Sequence, residues 1–210
     1  MSMQAFTQLR GVAASLLIDN VDTDLIIRIE RLTSLGREAL GPWAFESLRY
    51  RPDGSEDPGF VLNQAPWRAA PILVAGRNFG CGSSREGAVW ALKARGVRCV
   101  IAESFGDIFH ANCFQNGVLP IRLSAAELTL ARSRCQPDAA WHVDLQAQQI
   151  VLPDGERLAF KVDPLRRAAL LEGLDDISRT HKLLDVITAW QANDRATRPW
   201  VWRTQPGPEF

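Results

Sequence analysis

The residues best equipped for chemistry fall together at Ser83, Ser84 and Arg85, near the end of the stretch GRNFGCGSSREG at 76–87. Two hydroxyls and a guanidinium follow Gly76, Gly80 and Gly82. Glycine tolerates positive φ and lets another group approach the backbone, and a helix starting here would direct free N–H groups and partial positive charge outward. Such a turn suits an anion. Arg85 would lie in the first helical turn, where the helix dipole prefers negative charge. A cation kept there calls for an anionic partner, and a guanidinium can grip a carboxylate with two parallel hydrogen bonds. A small carboxylate substrate would account for the arginine, the glycine backbone and the hydroxyls together.

A structural reading competes with this one. Ser83-Ser84-Arg85-Glu86 is also a capping-box sequence, with Ser83 as N-cap and Glu86 returning to its backbone N–H; the two roles are compatible. The stretch fits neither common phosphate loop. It lacks the lysine of GxxxxGK[ST], and Gly80-Cys81-Gly82 is followed by Ser83-Ser84-Arg85 rather than by a GxGxxG ending. Cys81 has no histidine nearby in sequence and reads as a small buried residue rather than a nucleophile. Asn20, Asp22, Thr23 and Asp24 either line a polar site or form an Asx-type turn.

The flanking elements must position this turn. An apolar run at 71–75 reads as a buried strand entering it, and a helix leaves it to about residue 95. The pattern then alternates: strand 97–102, helix 104–115 opened by Ser104-Phe105-Gly106-Asp107, a C-cap at Gly117, strand 118–123, and a capping box at Ser124 to Glu127. Upstream, strands are expected at 15–18 and 25–27 around the acidic loop 19–24, short helices within 33–44, and a surface loop at 51–59. Downstream, 141–145 and 150–152 alternate, and Pro153-Asp154-Gly155-Glu156 turns into a further strand at 157–162. Pro164 is placed to start a helix that Gly173 stops, and Asp175 to cap a longer amphipathic helix through Trp190. Ile177, Thr180, Leu184, Ile187 and Trp190 define its face. The reading is an α/β fold with a mixed sheet, parallel in the middle and antiparallel at the end, forming one domain over 1–195. An irregular tail follows at 196–210, whose Trp200, Val201 and Trp202 are expected to dock on the domain or a partner.

Composition narrows the function classes. The 210 residues are 46% hydrophobic, enough for a substantial core, and carry 24 basic and 24 acidic side chains without long runs of either sign. That argues against a nucleic-acid face or a polybasic membrane patch. With no apolar run near the roughly 20 residues needed to span a bilayer, and no signal-peptide core at the start, a soluble cytoplasmic protein is expected. Cys81, Cys99, Cys113 and Cys135 form no CxxC pair, and His110, His142 and His181 stand alone, so reduced thiols and no self-contained metal site are expected.

Several separated segments resemble the small subunits of 3-isopropylmalate dehydratase, in the aconitase superfamily: NVDTDLII at 20–27, FVLNQAPW at 60–67, ILVAGRNFGCGSSRE at 72–86, SFGDIFHANCFQNGVLPI at 104–121 and LLEGLDDI at 170–177. The resemblance spans about residues 8–194. It implies a three-layer β/β/α swivelling domain and one half of a two-chain enzyme whose large subunit carries a [4Fe–4S] cluster. It implies a dehydration and rehydration interconverting 2-isopropylmalate and 3-isopropylmalate in leucine biosynthesis. Ser83 would be the base, as an alkoxide. Ser84 and Arg85 would hold substrate carboxylate, with Gly82, Asp22, Thr23, Arg31 and Leu32 around the substrate. Three positions depart from the family pattern. Gly87 stands where a histidine is usual, and Arg28 and Arg31 replace proline and phenylalanine in the loop implied to meet the substrate's distinguishing group. An unpaired arginine there would suit a different diacid, of the citramalate, citraconate or dimethylmaleate type. A non-catalytic partner homologue is the remaining alternative.

Overall fold

The computed structural model describes residues 3–202. Among the described residues, seven strands, β1 (Gln8–Leu16), β2 (Ile72–Ala75), β3 (Cys99–Ala102), β4 (Leu119–Arg122), β5 (Ala140–Asp144), β6 (Gln149–Val151) and β7 (Arg157–Ala159), form one sheet in the order β4-β3-β2-β1-β5-β6-β7. β1 belongs to two halves. It runs parallel to β2 from Ala13↔Ile72 to Leu16↔Ala75, and antiparallel to β5 from Gln8↔Asp144 to Val12↔Ala140. β2, β3 and β4 continue the parallel half, and β6 and β7 the antiparallel half.

Side-chain alternation along the strands turns this sheet into layers. Ile72, Val74, Cys99 and Ile101 point to one face and join Trp141, Val143, Ile150 and Leu158 of the antiparallel half in one buried cluster. Leu73, Ala75, Val100 and Ala102 point to the other and join Ala88, Val89 and Leu92 of α4 (defined below) with Phe109 and Cys113 of α5. The antiparallel half therefore folds back over one face while helices cover the opposite one, the expected β/β/α arrangement. Burial on both faces explains why the parallel strands read as continuous apolar runs.

Three short helices, α1 (Thr23–Ile26), α2 (Ile29–Ser34) and α3 (Glu46–Arg49), lie between β1 and β2. α4 (Glu86–Ala94) joins β2 to β3, and α5 (Asp107–Gln115) joins β3 to β4. α6 (Ala125–Ser133) follows β4, and α7 (Pro164–Glu172), α8 (Asp176–His181) and α9 (Leu184–Thr197) close the chain. The signals at Ser124, Pro164 and Gly173 act as expected: Ser124 and Glu127 form a reciprocal capping box, Pro164 opens α7, and Gly173 ends it at φ 69°. Gly117 follows α5 at φ 75°.

Several expectations are corrected. Residues 25–27 are not a strand, because the Asp22 carboxylate accepts from the Leu25 N–H at 2.7 Å and caps α1 instead. β1 begins at Gln8, its first half disguised by Arg10 and by Gly11, which packs against the Pro71 ring. Ser104 does not cap α5, whose N-cap is Gly106. The helix expected from Asp175 to Trp190 breaks at Lys182 and Leu183 into α8 and α9, and its apolar face is exposed, Ile177 by 70% and Trp190 by 57%. Helix also persists to Thr197, beyond the expected boundary, and a 3-10 turn runs over Pro199–Trp202. Asp194 organises this end by accepting from Arg198 Nε at 2.7 Å and Trp202 Nε1 at 2.8 Å. The rest of the expected tail, 203–210, lies outside the described residues.

Candidate active site

The glycine turn leaves the C-terminal end of β2, and its neighbours leave the same ends of β1 and β3. In α/β sheets that edge is where ligands collect. The loop after β1 is sewn to the turn: Asp19 Oδ1 accepts from the Arg77 N–H at 2.7 Å, Asn20 N–H donates to Arg77 O at 2.8 Å, and Asn78 Nδ2 donates to Asn20 Oδ1 at 2.9 Å. Gly80 N–H then donates to Val21 O at 2.7 Å, and Thr23 N–H to Cys81 O at 2.9 Å. On the other side, Ser104 takes both the Asn78 N–H on its hydroxyl, at 2.9 Å, and the Phe79 N–H on its carbonyl, at 3.0 Å. Ser104 thus ties loops together where a helix cap was expected. Three loops become one rigid cradle.

Two glycines make that geometry possible. Gly80 adopts φ 72°, and a Cβ there would overlap the Phe109 ring of α5. Gly82 adopts φ 87° beside Asp22, where a Cβ would sit 3.2 Å from the Asp22 Cβ. Side chains at either position would meet backbone strain, at Gly80 with a steric overlap as well.

Ser83 and Ser84 emerge from the cradle exposed, and the Ser83 carbonyl accepts from Thr23 Oγ1 at 3.0 Å. The capping box expected at Ser83 does not form. α4 begins at Glu86 with Arg85 as N-cap, so Glu86 is the first helical residue and not the third, and cannot return to Ser83. Its carboxylate instead accepts from Asn116 Nδ2 at 2.9 Å, and Asn116 Oδ1 accepts from Trp90 Nε1 at 3.1 Å. Arg85 forms an ion pair with Asp24 of α1, so the guanidinium faces a carboxylate in the chain itself.

Leu32 joins the same neighbourhood through Gly87, since a Cβ at 87 would overlap its side chain. The departure at Gly87 is what admits α2 to the start of α4. Arg31 turns the other way. Its guanidinium donates to Glu46 from Nε at 3.0 Å and Nη2 at 2.5 Å and lies 3.4 Å from the centre of the Trp43 ring. Arg28 pairs with Glu30 at 3.3 Å on the surface. The structure therefore gathers Asp22, Thr23, Gly82, Ser83, Ser84, Arg85 and Leu32, and sets the charge of Arg31 apart. Sequence reasoning missed the Asp24–Arg85 pair and the part played by Glu46 and Trp43. Glu46 lies in an irregular stretch with no spacing that could have flagged it.

Burial pushes the Cys99 and Cys113 thiols above the usual range and Cys135 up to about 12. No group of three or more His, Cys, Asp or Glu among the described residues is placed to hold a metal. The four cysteines are scattered and three of the thiols are pushed up by burial, which does not fit an iron–sulfur cluster.

A model of the aconitase C-terminal domain matches residues 3–126, and a LeuD_N model matches 136–164. The 3-isopropylmalate dehydratase small subunit of Rhodospirillum centenum is 52% identical over 201 residues, covering 95% of this chain and 99% of the relative. The chain belongs to the family of 3-isopropylmalate dehydratase small subunits. Another member of that family, from Rhodopseudomonas palustris, is 50% identical across 95% of this chain and 100% of its own length. The crystal structure of 3-isopropylmalate dehydratase (leuD) from Methanocaldococcus jannaschii superposes with a TM-score of 0.65 at 28% identity, over 86% of this chain and 99% of that one. The small-subunit family accounts for the mixed sheet and for the quoted motifs.

Proposed function

We propose that this chain is the small subunit of a 3-isopropylmalate dehydratase, a hydro-lyase that interconverts 2-isopropylmalate and 3-isopropylmalate for leucine biosynthesis. The observation that carries the reading is the exposed Ser83 hydroxyl on a cradle built by three parallel-strand loops, next to Arg85 at the head of α4. Its relatives are named small subunits, so a large subunit completes the enzyme, and the exposed apolar residues of α8 and α9 support such a partner.

Ser83 acts as the base that takes the proton from the carbon beside the substrate carboxylate, and returns it on rehydration. Serine is a very weak acid, so its anion needs the positive end of α4 and the nearby guanidinium of Arg85. Ser84 and Arg85 hold a substrate carboxylate, which takes the place that Asp24 now fills. Gly82, Asp22 and Thr23 fix the backbone from which Ser83 projects, and Leu32 supplies hydrocarbon for the substrate's isopropyl group. The position of Arg31 shapes the same wall. Since the thiols here do not fit a cluster, the [4Fe–4S] cluster is assigned to the large subunit. Residues 1–195 serve as one swivelling domain. The free cysteines fit a reducing cytoplasm.

The test is turnover. Reconstituted with its large iron–sulfur subunit, the chain should hydrate isopropylmaleate, and Ser83→Ala should lower kcat on the order of 10²- to 10⁴-fold, the usual worth of a positioned base. Full activity of Ser83→Ala removes the base assignment. Activity on citraconate without activity on isopropylmaleate removes the leucine-pathway assignment.

A further inference from the structure

We infer that Glu46 is a positioning residue for substrate selection: with Trp43 it withholds the Arg31 charge from the active site, so that the wall beside Arg85 accepts a hydrocarbon substituent. The inference deepens the function just proposed and rests on it. Three observations carry it.

The first is the strength of the hold. Arg31 makes a two-point ion pair with Glu46, 3.0 Å from Nε and 2.5 Å from Nη2, and stacks on Trp43 at 3.4 Å. The Glu46 side chain is only 16% exposed, and that of Arg31 32%. Such a fork on a carboxylate, backed by an aromatic face, is far stronger than an exposed ion pair of the Arg28–Glu30 kind. The hydrogen bonds from Arg31 hold the Glu46 carboxyl below its ordinary range, so it stays ionised at neutral pH.

The second is that Glu46 is itself anchored. Phe45 before it is fully buried at φ 58°, a left-handed conformation rare for an aromatic residue, and its N–H donates to Ile26 O at 2.8 Å. α3 therefore starts at a fixed place against the end of α1, the helix that carries Asp24.

The third is the divergence of two adjacent residues. Leu32 packs on Gly87 at the head of α4, two residues after Arg85, while Arg31 leans away to Glu46. Release of Arg31 would bring a second cation close to a wall now finished by leucine methyls, and an unpaired charge facing a hydrocarbon group is costly. It would instead favour a substrate with an additional carboxylate.

The experiment uses the two-chain enzyme and steady-state hydration of isopropylmaleate, with the melting temperature of each variant measured alongside. Glu46→Gln should raise KM on the order of tenfold, about 1.4 kcal/mol, with kcat within about twofold. Glu46→Asp should keep KM near that of the wild type. The double variant Arg31→Leu, Glu46→Leu, which removes both charges and stays testable if the glutamine variant folds poorly, should restore KM to within about threefold. An unchanged KM in Glu46→Gln overturns the inference. So does a double variant as impaired as the single one, because Glu46 would then act through the fold and not through the Arg31 charge. If the wild-type enzyme turns over some other diacid and not isopropylmaleate, the proposed function fails first, and that outcome is visible before any variant is made.

Discussion

The strand-end cradle and the C-terminal helices are held by opposite means. Around Ser83, backbone groups of three loops bond directly to one another, and the side chains involved are short: Asp19, Asn20, Thr23, Asn78 and Ser104. In α8 and α9, by contrast, Ile177, Leu184, Val186 and Trp190 are more than half exposed, and the buried Asp194 is the main polar anchor. Short polar groups fix atoms closely because few rotamers separate them from the backbone. The catalytic role proposed for the Ser83 hydroxyl requires that rigidity. Apolar helical faces instead gain their stability when another surface covers them, which suits a chain that works as half of an assembly.

The largest effect is expected at Gly80. Gly80→Ala places a methyl at φ 72° against Phe109 and should destabilise the isolated chain by about 3 kcal/mol or more, read as a lower denaturant midpoint. A loss below about 1 kcal/mol would mean that the cradle yields, and the contrast in rigidity would fall. Thr23→Val comes next. It removes the hydroxyl that donates to Ser83 O, at a site 1% exposed, and should cost about 1–2 kcal/mol, together with a fall in kcat larger than any rise in KM. Equal changes in kcat and KM would show that Thr23 does not position Ser83.

Much of the cradle could be read from residues because its signals are local. Glycines at 80 and 82, the run of small polar residues after β1, and the strand before the turn each announce themselves within a few positions. The capping box at Ser83 misled because the same four residues serve two geometries, and a start of α4 at Glu86 decides between them only through tertiary bonds to Asn116. Residues 25–27 misled for a related reason: three apolar residues set no period, and the Asp22 cap settled the matter. The Arg31–Glu46–Trp43 contact was beyond reach, since loops and short helices with no repeating spacing bring those side chains together. Family resemblance supplied the swivelling architecture, whereas alternation along β2 and β3 gives its physical cause.

The contact between α5 and α7 should respond to pH. His110 on α5 lies between Phe105 and Phe114, with Arg166 of α7 at 3.3 Å. Burial, then Arg122 and Arg166, push it down to about 4, against a partial opposing pull from Asp107. Its folded pKa is thus below its unfolded value of 6.5, so the unfolded chain takes up more protons between those values. Stability from this group is complete above about pH 6.5 and declines as pH falls toward 4. The hydrogen-bonded carboxylates of Glu46, Glu127 and Asp144, whose ordinary values are 4.5 or lower and are lowered further, lose their contribution only below that. Between pH 7 and 5 the isolated chain should lose about 1 kcal/mol, a figure discounted for the half-exposed ring, and His110→Phe should flatten that slope. An unchanged slope in the variant would place the proton uptake elsewhere.

The smallest effect is expected at the far end, and it tests the other half of the contrast. Ile177 is 70% exposed and Val186 67%, so replacing either by serine removes little buried area from the lone chain. At about 25 cal/mol per Å² of apolar surface withdrawn from water, reduced for a compact unfolded chain, neither change should move the stability by more than about 1 kcal/mol. The large-subunit complex provides the counterpart measurement. If α8 and α9 are covered there, the same substitutions should weaken association while leaving the melting temperature of the isolated chain in place. A loss above about 2 kcal/mol in the isolated chain would mean that these helices already belong to its core. The two regions would then differ in chemistry but not in independence, and the exposed face would need no partner to explain it.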